Sequence, residues 1–221
     1  MGPLVTGPAD GYGGYRERLV EALRGKGIRD LAVLRAIAEV PRHLFLPEYL
    51  WHRAYDDAAL PIGNGQTISQ PWVQARSLEA LALTGNDTVL EVGTGSGYQT
   101  ALLSRLAGTV VSIERVRELS EQARASLQRA GMERHVHLVV GDGTLGWPPL
   151  APYAGIVVAA ASPEAPTPLV HQLADGGRLV VPIGPRETQV LTLVTRRGEE
   201  LGTAALSEAR FVPLIGQHGW N

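Results

Sequence analysis

The chain has 221 residues, 44% of them hydrophobic and 19% charged, enough to bury a sizeable core within one domain. A formal net charge of −2 leaves no broad basic field for holding nucleic acid by phosphate neutralisation. The absence of cysteine excludes disulfides, thiolate metal sites and a cysteine nucleophile, and it agrees with a cytoplasmic setting.

Residues 1–14 are rich in glycine and proline, carry no charged-then-apolar signal, and read as a flexible tail. No later run is long enough to cross a membrane. Residues 15–221 read as a single domain, with a helical segment at 15–84 and an α/β core at 85–221. A first helix is expected over 15–24, through Tyr15, Leu19, Ala22 and Leu23, stopped by Gly25 and Gly27. A second starts with Asp30 as its cap, turns Leu31, Leu34, Ile37 and Ala38 inward, and ends before Pro41. Residues 41–60 are irregular, pinned to a core by Phe45, Tyr49, Trp51 and Tyr55. The polar stretch P-I-G-N-G-Q-T-I-S-Q-P (61–71) has few side chains to support packing of its own. Pro71 suits the first turn of a helix that buries Trp72, Ala75, Leu78 and Ala82.

From Val89 onward strands and helices alternate. Strands are expected at Thr88–Val92, Thr109–Glu114, 135–140, 156–160 and 178–182, and helices at 98–107, 116–130 and 167–174. The strands are near-continuous apolar runs, as in a parallel sheet covered on both faces. After Gly184 the pattern changes to two strands, 189–195 and 204–211, joined like a hairpin. The class is α/β: a doubly wound, Rossmann-like sheet with an N-terminal helical extension and an antiparallel finish.

The chemistry centres on T-V-L-E-V-G-T-G-S-G-Y (88–98), a strand running through three glycines into a helix. Such a turn sets a nucleotide-like ligand against a helix N-terminus. The dinucleotide fingerprint would need glycine where Tyr98 stands. The spacing present, E-x-G-x-G-x-G, resembles the first motif of class I S-adenosylmethionine-dependent methyltransferases. That resemblance implies that Glu91, Gly93, Thr94, Gly95, Ser96 and Gly97 hold S-adenosyl-L-methionine, with S-adenosyl-L-homocysteine as product. Glu114, at the end of the next strand, is placed to accept both ribose hydroxyls. Asp142, with Gly143 beside it after the third strand, is a candidate acceptor for the adenine amino group.

G-N-G-Q-T-I-S-Q-P (63–71) is similar to the signature of the protein-L-isoaspartate (D-aspartate) O-methyltransferases. Matching pieces are V-P-R-H-L-F (40–45), Y-D-D-A-A-L-P-I-G (55–63), G-D-G (141–143), A-P-Y (151–153) and F-V-P-L (211–214), spread over nearly the whole chain. The resemblance implies methylation of the α-carboxylate of L-isoaspartyl residues in damaged proteins, the ester then closing to a succinimide that reopens partly to aspartate. It places the catalytic serine at Ser69, with Thr67 and Ile68 shaping the substrate side, and makes isoaspartyl peptides and proteins the partners of an expected monomer. A carboxylate of pKa roughly 3.5–4 is already a nucleophile at neutral pH, so no general base is required. Ser69 is also placed to cap the following helix. A same-fold methyltransferase for another carboxylate, and a non-catalytic cofactor-binding module, are the competing readings.

Ala154 stands where the family usually has aspartate, and Arg76 and Ser77 stand where it is often apolar. His135 and His137 share a strand face without a third ligand at metal spacing, so no metal is expected. Asp57 matches a family position without an assigned role. Arg196 and Arg197 read as part of a solvated turn.

Overall fold

The computed structural model describes residues 11–220, so most of the expected tail lies outside the described residues. Helix α1 (Gly13–Gly25) already includes the last two residues assigned to that tail. Helix α2 (Leu31–Glu39) starts as its cap chemistry dictates, the Asp30 carboxylate accepting from the N–H groups of Ala32 and Val33. Its inward face is rotated from the expected one. Val33, Leu34, Ala36 and Ile37 are buried, whereas Leu31 is 72% exposed and Ala38 is also exposed. Two helical stripes share Leu34 and Ile37, and packing against the neighbouring helices buries the one containing Val33.

Residues 41–60 fold as two 3₁₀ turns, Arg42–Phe45 and Glu48–Arg53, that bury Phe45 and Leu50 but leave Tyr49 exposed. Next comes a two-stranded hairpin, β1 (Leu60–Gly63) and β2 (Gln66–Ile68), within what the sequence shows only as a polar stretch with little packing of its own. Three consecutive left-handed residues, Gly63, Asn64 and Gly65, make its turn. Helix α3 (Pro71–Leu81) follows. Ala82, expected inside, instead ends it in a left-handed, exposed conformation.

The core is a seven-stranded sheet built from β3 (Thr88–Val92), β4 (Thr109–Glu114), β5 (Val136–Val140), β6 (Tyr153–Val158), β7 (Leu173–Ile183), β8 (Gln189–Arg197) and β9 (Glu200–Ala209). Their order is β5-β4-β3-β6-β7-β8-β9. The first five to appear in the chain run parallel; β8 and β9 are antiparallel additions. Helices α4 (Tyr98–Leu106), α5 (Arg117–Ala130) and the short α6 (Thr167–His171) make the connections. Because β3 has β4 on one side and β6 on the other, successive crossovers leave it in opposite directions. A crevice therefore opens at the carboxyl ends of these strands.

Strands β3, β4 and β6 are buried almost end to end, as their apolar runs predict. β5 is not; it is the sheet's edge and half-exposed, with Val140 41% exposed. His135 lies just before β5 in a left-handed conformation, so it does not share a strand face with His137. The helix expected through 174 stops at His171, and β7 begins at Leu173, which pairs with Tyr153 before the Gly176–Gly177 kink. Arg196 donates to the carbonyls of His171 and Leu173, tying the hairpin to α6 rather than lying in solvent.

Gly97 sets the start of α4. It adopts φ of +84°, and a Cβ there would sit 3.1 Å from that of Ala123 on α5. Glycine satisfies both the left-handed turn and the close helix approach.

Candidate active site

At the crevice, β3 passes into the glycine loop and β4 into Glu114. Gly93 N–H donates to the carbonyl of Ile113 at 2.8 Å, and Gly95 N–H donates to Glu114 Oε2 at 2.9 Å. The other oxygen, Oε1, accepts from Val116 N–H at 2.9 Å. Glu114 thus pins the loop from the crevice wall, and each carboxylate oxygen keeps acceptor capacity beyond its one bond.

Glu91 lies beneath this loop. It is fully buried; its Oε2 accepts from Thr100 Oγ1 at 2.5 Å and Ser112 Oγ at 2.6 Å, while Oε1 has no partner. Ser112 also meets Thr94 Oγ1 at 2.6 Å, which links the carboxyl to the loop. Burial pushes the Glu91 carboxyl up to about 7, outweighing the hydroxyl donors and the nearby Gln99 amide. Glu91 is therefore a support for the loop, off the crevice wall.

A carboxyl raised on folding binds its proton more tightly in the native state. Its stabilisation is complete below the unfolded value of 4.5 and is lost as pH rises toward 7. Glu91→Gln is expected to flatten the fall in stability between pH 5 and 8, an effect on the order of 3 kcal/mol by linkage. Urea unfolding at the two pH values measures it; an unchanged slope would contradict the assignment.

The opposite wall comes from the β1–β2 hairpin and the start of α3. Its anchor is Arg42, which is fully buried. Arg42 Nε donates to the Ala54 carbonyl, Nη1 to Gln74 Oε1 and Nη2 to the Ser69 carbonyl, each at 2.9 Å. The guanidinium lies 4.8 Å from the ring centre of Tyr98, the first residue of α4. Burial lowers its pKa to about 10, so it remains charged at neutral pH. One side chain therefore ties the hairpin end to the helix that follows the glycine loop.

Asp57, whose role the sequence left open, accepts from Trp72 N–H at 2.8 Å and from Lys26 Nζ at 2.6 Å. It fixes the start of α3 from outside. The N-cap residue is Gln70, with no side-chain cap bond, so the cap considered for Ser69 is supplied by Asp57 instead. Ser69 is half-buried at the crevice wall.

A cavity of about 920 Å³, open mouth included, joins the two halves. Its walls bring Thr67, Ile68 and Ser69 together with Gly93, Thr94, Gly95, Ser96, Glu114 and Gly143. Three expected residues do not reach the wall: Glu91 beneath the loop, Gly97 against α5, and Asp142. Asp142 Oδ1 accepts from Thr144, and Oδ2 accepts from Gln217 N–H at 2.8 Å. These donors overcome the upward pull of burial and hold its pKa below the usual carboxylate value. Asp142 thereby anchors the C-terminal segment, whose residues Val212, Pro213, Leu214 and Ile215 close one side of the cavity. The sequence reading passed over Gln74 and Gln99 on the walls, because both sit among helical apolar stripes. It also assigned no role to Arg42, although the V-P-R-H-L-F match was a signal.

A strand-end carboxylate, a glycine loop at the switch point and a hydroxyl-bearing wall facing them define a methyltransferase-type α/β enzyme. The family model for "Protein-L-isoaspartate(D-aspartate) O-methyltransferase" matches residues 14–219, and the chain belongs to that family. It is 54% identical over 206 residues to a protein-L-isoaspartate O-methyltransferase of Methanoculleus marisnigri, covering 93% of both chains. Against its counterpart in Dictyoglomus thermophilum it is 49% identical, covering 95% of this chain and 94% of that one. A solved Plasmodium falciparum structure described as the same kind of enzyme, in complex with S-adenosyl-L-homocysteine, superposes with TM-score 0.79 at 26% identity, over 90% of this chain and 98% of that one.

Proposed function

We propose that the chain transfers a methyl group from S-adenosyl-L-methionine to the α-carboxylate of L-isoaspartyl residues in peptides and proteins. The observation that carries this reading is the single cavity shared by the glycine loop and the Ser69 segment. The residues present fit the cofactor. Glu114 has acceptor capacity for a ribose diol, and Gly143 packs so closely on Val92 that a Cβ there would collide with its side chain and displace this part of the wall. Val92, Ile113 and Val116 supply apolar surface for a base, and Gly93, Thr94, Gly95 and Ser96 face the remaining length.

When bound, S-adenosyl-L-methionine supplies a methyl group on a positively charged sulfur, which an anionic carboxylate accepts without any proton being lost or gained. The protein has little acid–base work to do. Ser69 donates its hydroxyl to one carboxylate oxygen and leaves the other free to react. Thr67 and Ile68 border the same wall, and the Val212–Ile215 segment excludes water, which strengthens the pairing of opposite charges. Rate comes from alignment, worth roughly 7–11 kcal/mol when two reactants are held in register. Methoxide leaves an ester far more readily than oxide leaves a carboxylate, so outside the enzyme the neighbouring backbone nitrogen attacks the ester carbonyl, gives up its proton and closes a succinimide with release of methanol.

Mass spectrometry of a methylated isoaspartyl peptide tests the acceptor. The ester is expected on the isoaspartyl α-carboxylate and is expected to decay to a succinimide. A stable ester on another carboxylate would overturn the reading.

A further inference from the structure

Gln74 lies on the second turn of α3, is 4% exposed, and forms part of the cavity wall. Arginine has donors only, so the atom 2.9 Å from Arg42 Nη1 is the amide oxygen of Gln74. The orientation of the amide follows from that contact, and Nε2 points the other way. Nε2 has no acceptor among the described residues, yet it is not sealed from solvent as the buried unpaired atoms are. Gln74 thus places a nearly buried N–H pair at the cavity wall, with nothing among the described residues to receive it. Such a group is costly unless something else completes it.

The same guanidinium holds the Ser69 carbonyl on its other terminal nitrogen, also at 2.9 Å. Ser69 and Gln74 are therefore fixed at adjacent corners of one rigid plane. The Arg42 charge does not face the cavity directly, because its bonds go to Ala54, Ser69 and Gln74. It polarises the Gln74 amide from behind, which makes Nε2 a stronger donor. A reacting carboxylate benefits from this arrangement. A direct ion pair would hold its electrons, whereas a neutral polarised amide orients it and leaves it nucleophilic.

We propose that Gln74 is a substrate-binding residue whose amide N–H, beside the Ser69 hydroxyl, binds the carboxylate oxygen that does not react. This inference rests on the reading of the cavity as an isoaspartyl methyltransferase site.

The test is Gln74→Glu. Glutamate keeps an acceptor for Arg42 and so preserves the prop for the hairpin, but it replaces the donor with a negative charge facing the substrate carboxylate. The KM for an isoaspartyl peptide is expected to rise about 10- to 100-fold, with a much smaller change in kcat. Calorimetric affinity for S-adenosyl-L-homocysteine is expected to stay at the wild-type value. A wild-type KM in Gln74→Glu would mean that Gln74 only supports Arg42, and would overturn the proposal. An equal loss of S-adenosyl-L-homocysteine affinity would overturn it too, placing the residue in the cofactor half. If the wild-type enzyme itself left the peptide unmethylated, the parent reading would fall and this one with it; an active wild type with an unaltered variant sinks only the role of Gln74.

Discussion

Replacing Arg42 with leucine is expected to destabilise the protein by about 3–5 kcal/mol and to abolish turnover. The side chain is fully buried, and its loss leaves the carbonyls of Ala54 and Ser69 and the Gln74 amide oxygen without a donor. Each buried acceptor left unpaired costs about 1–3 kcal/mol, offset in part because a buried charge is removed as well. Arg42→Lys separates stability from positioning. Lysine keeps the charge and much of the volume, but a single ammonium cannot serve the three acceptors that the planar fork reaches. That variant is expected to fold, with a smaller loss in urea-unfolding free energy, yet to lose about 100-fold in kcat/KM, since a shift of about 1 Å in a reacting group costs that much. Wild-type kcat/KM in Arg42→Lys would show that the hairpin end is held by something other than this guanidinium.

Ser69→Ala should behave in the opposite way. Its hydroxyl caps no helix, because the start of α3 is fixed by Asp57 through Trp72 N–H. Stability is then expected to change by no more than about 0.5 kcal/mol, as for a surface site without special contacts. Turnover is expected to fall about 10²–10³-fold, the usual consequence of removing one preorganised donor. S-adenosyl-L-homocysteine should bind as before, because the cofactor half of the cavity is built from β3, β4 and the glycine loop. Full turnover in Ser69→Ala would remove the serine from the chemistry and leave the backbone of the hairpin as the orienting element.

The two variants probe what sequence alone could and could not reveal. The strands β3 and β4 were legible to the residue, since an unbroken apolar run ends in glycine or glutamate at a sheet's carboxyl edge. Ser69, read from a motif, and Glu114, read from its strand-end position, both lie on the cavity wall. The hairpin of β1 and β2 was not legible, because its strands are only four and three residues long and carry few apolar residues. The inward face of α2 was misread because its pattern supports two stripes, and only the neighbouring helices choose between them.

At the site, Arg42 and Ser69 are 27 residues apart and Asp142 and Gln217 are 75 apart, separations with no local periodicity to reveal them. Glu91 illustrates the same limit in reverse. Its place in the motif suggested a ligand contact, but a carboxylate in the middle of a covered strand faces the hydroxyls of Thr100 and Ser112. The glycine loop identifies a cofactor site common to many enzymes. The hairpin end, held by the buried Arg42, forms the wall that faces it.

The central claim is that this cavity presents an isoaspartyl carboxylate to a methyl donor. Incubating the enzyme with methyl-labelled S-adenosyl-L-methionine and two peptides that differ only in an isoaspartyl or aspartyl linkage tests it most directly. The account predicts label in the isoaspartyl peptide and essentially none in its aspartyl twin; equal labelling of both, or none in the isoaspartyl peptide, would contradict it.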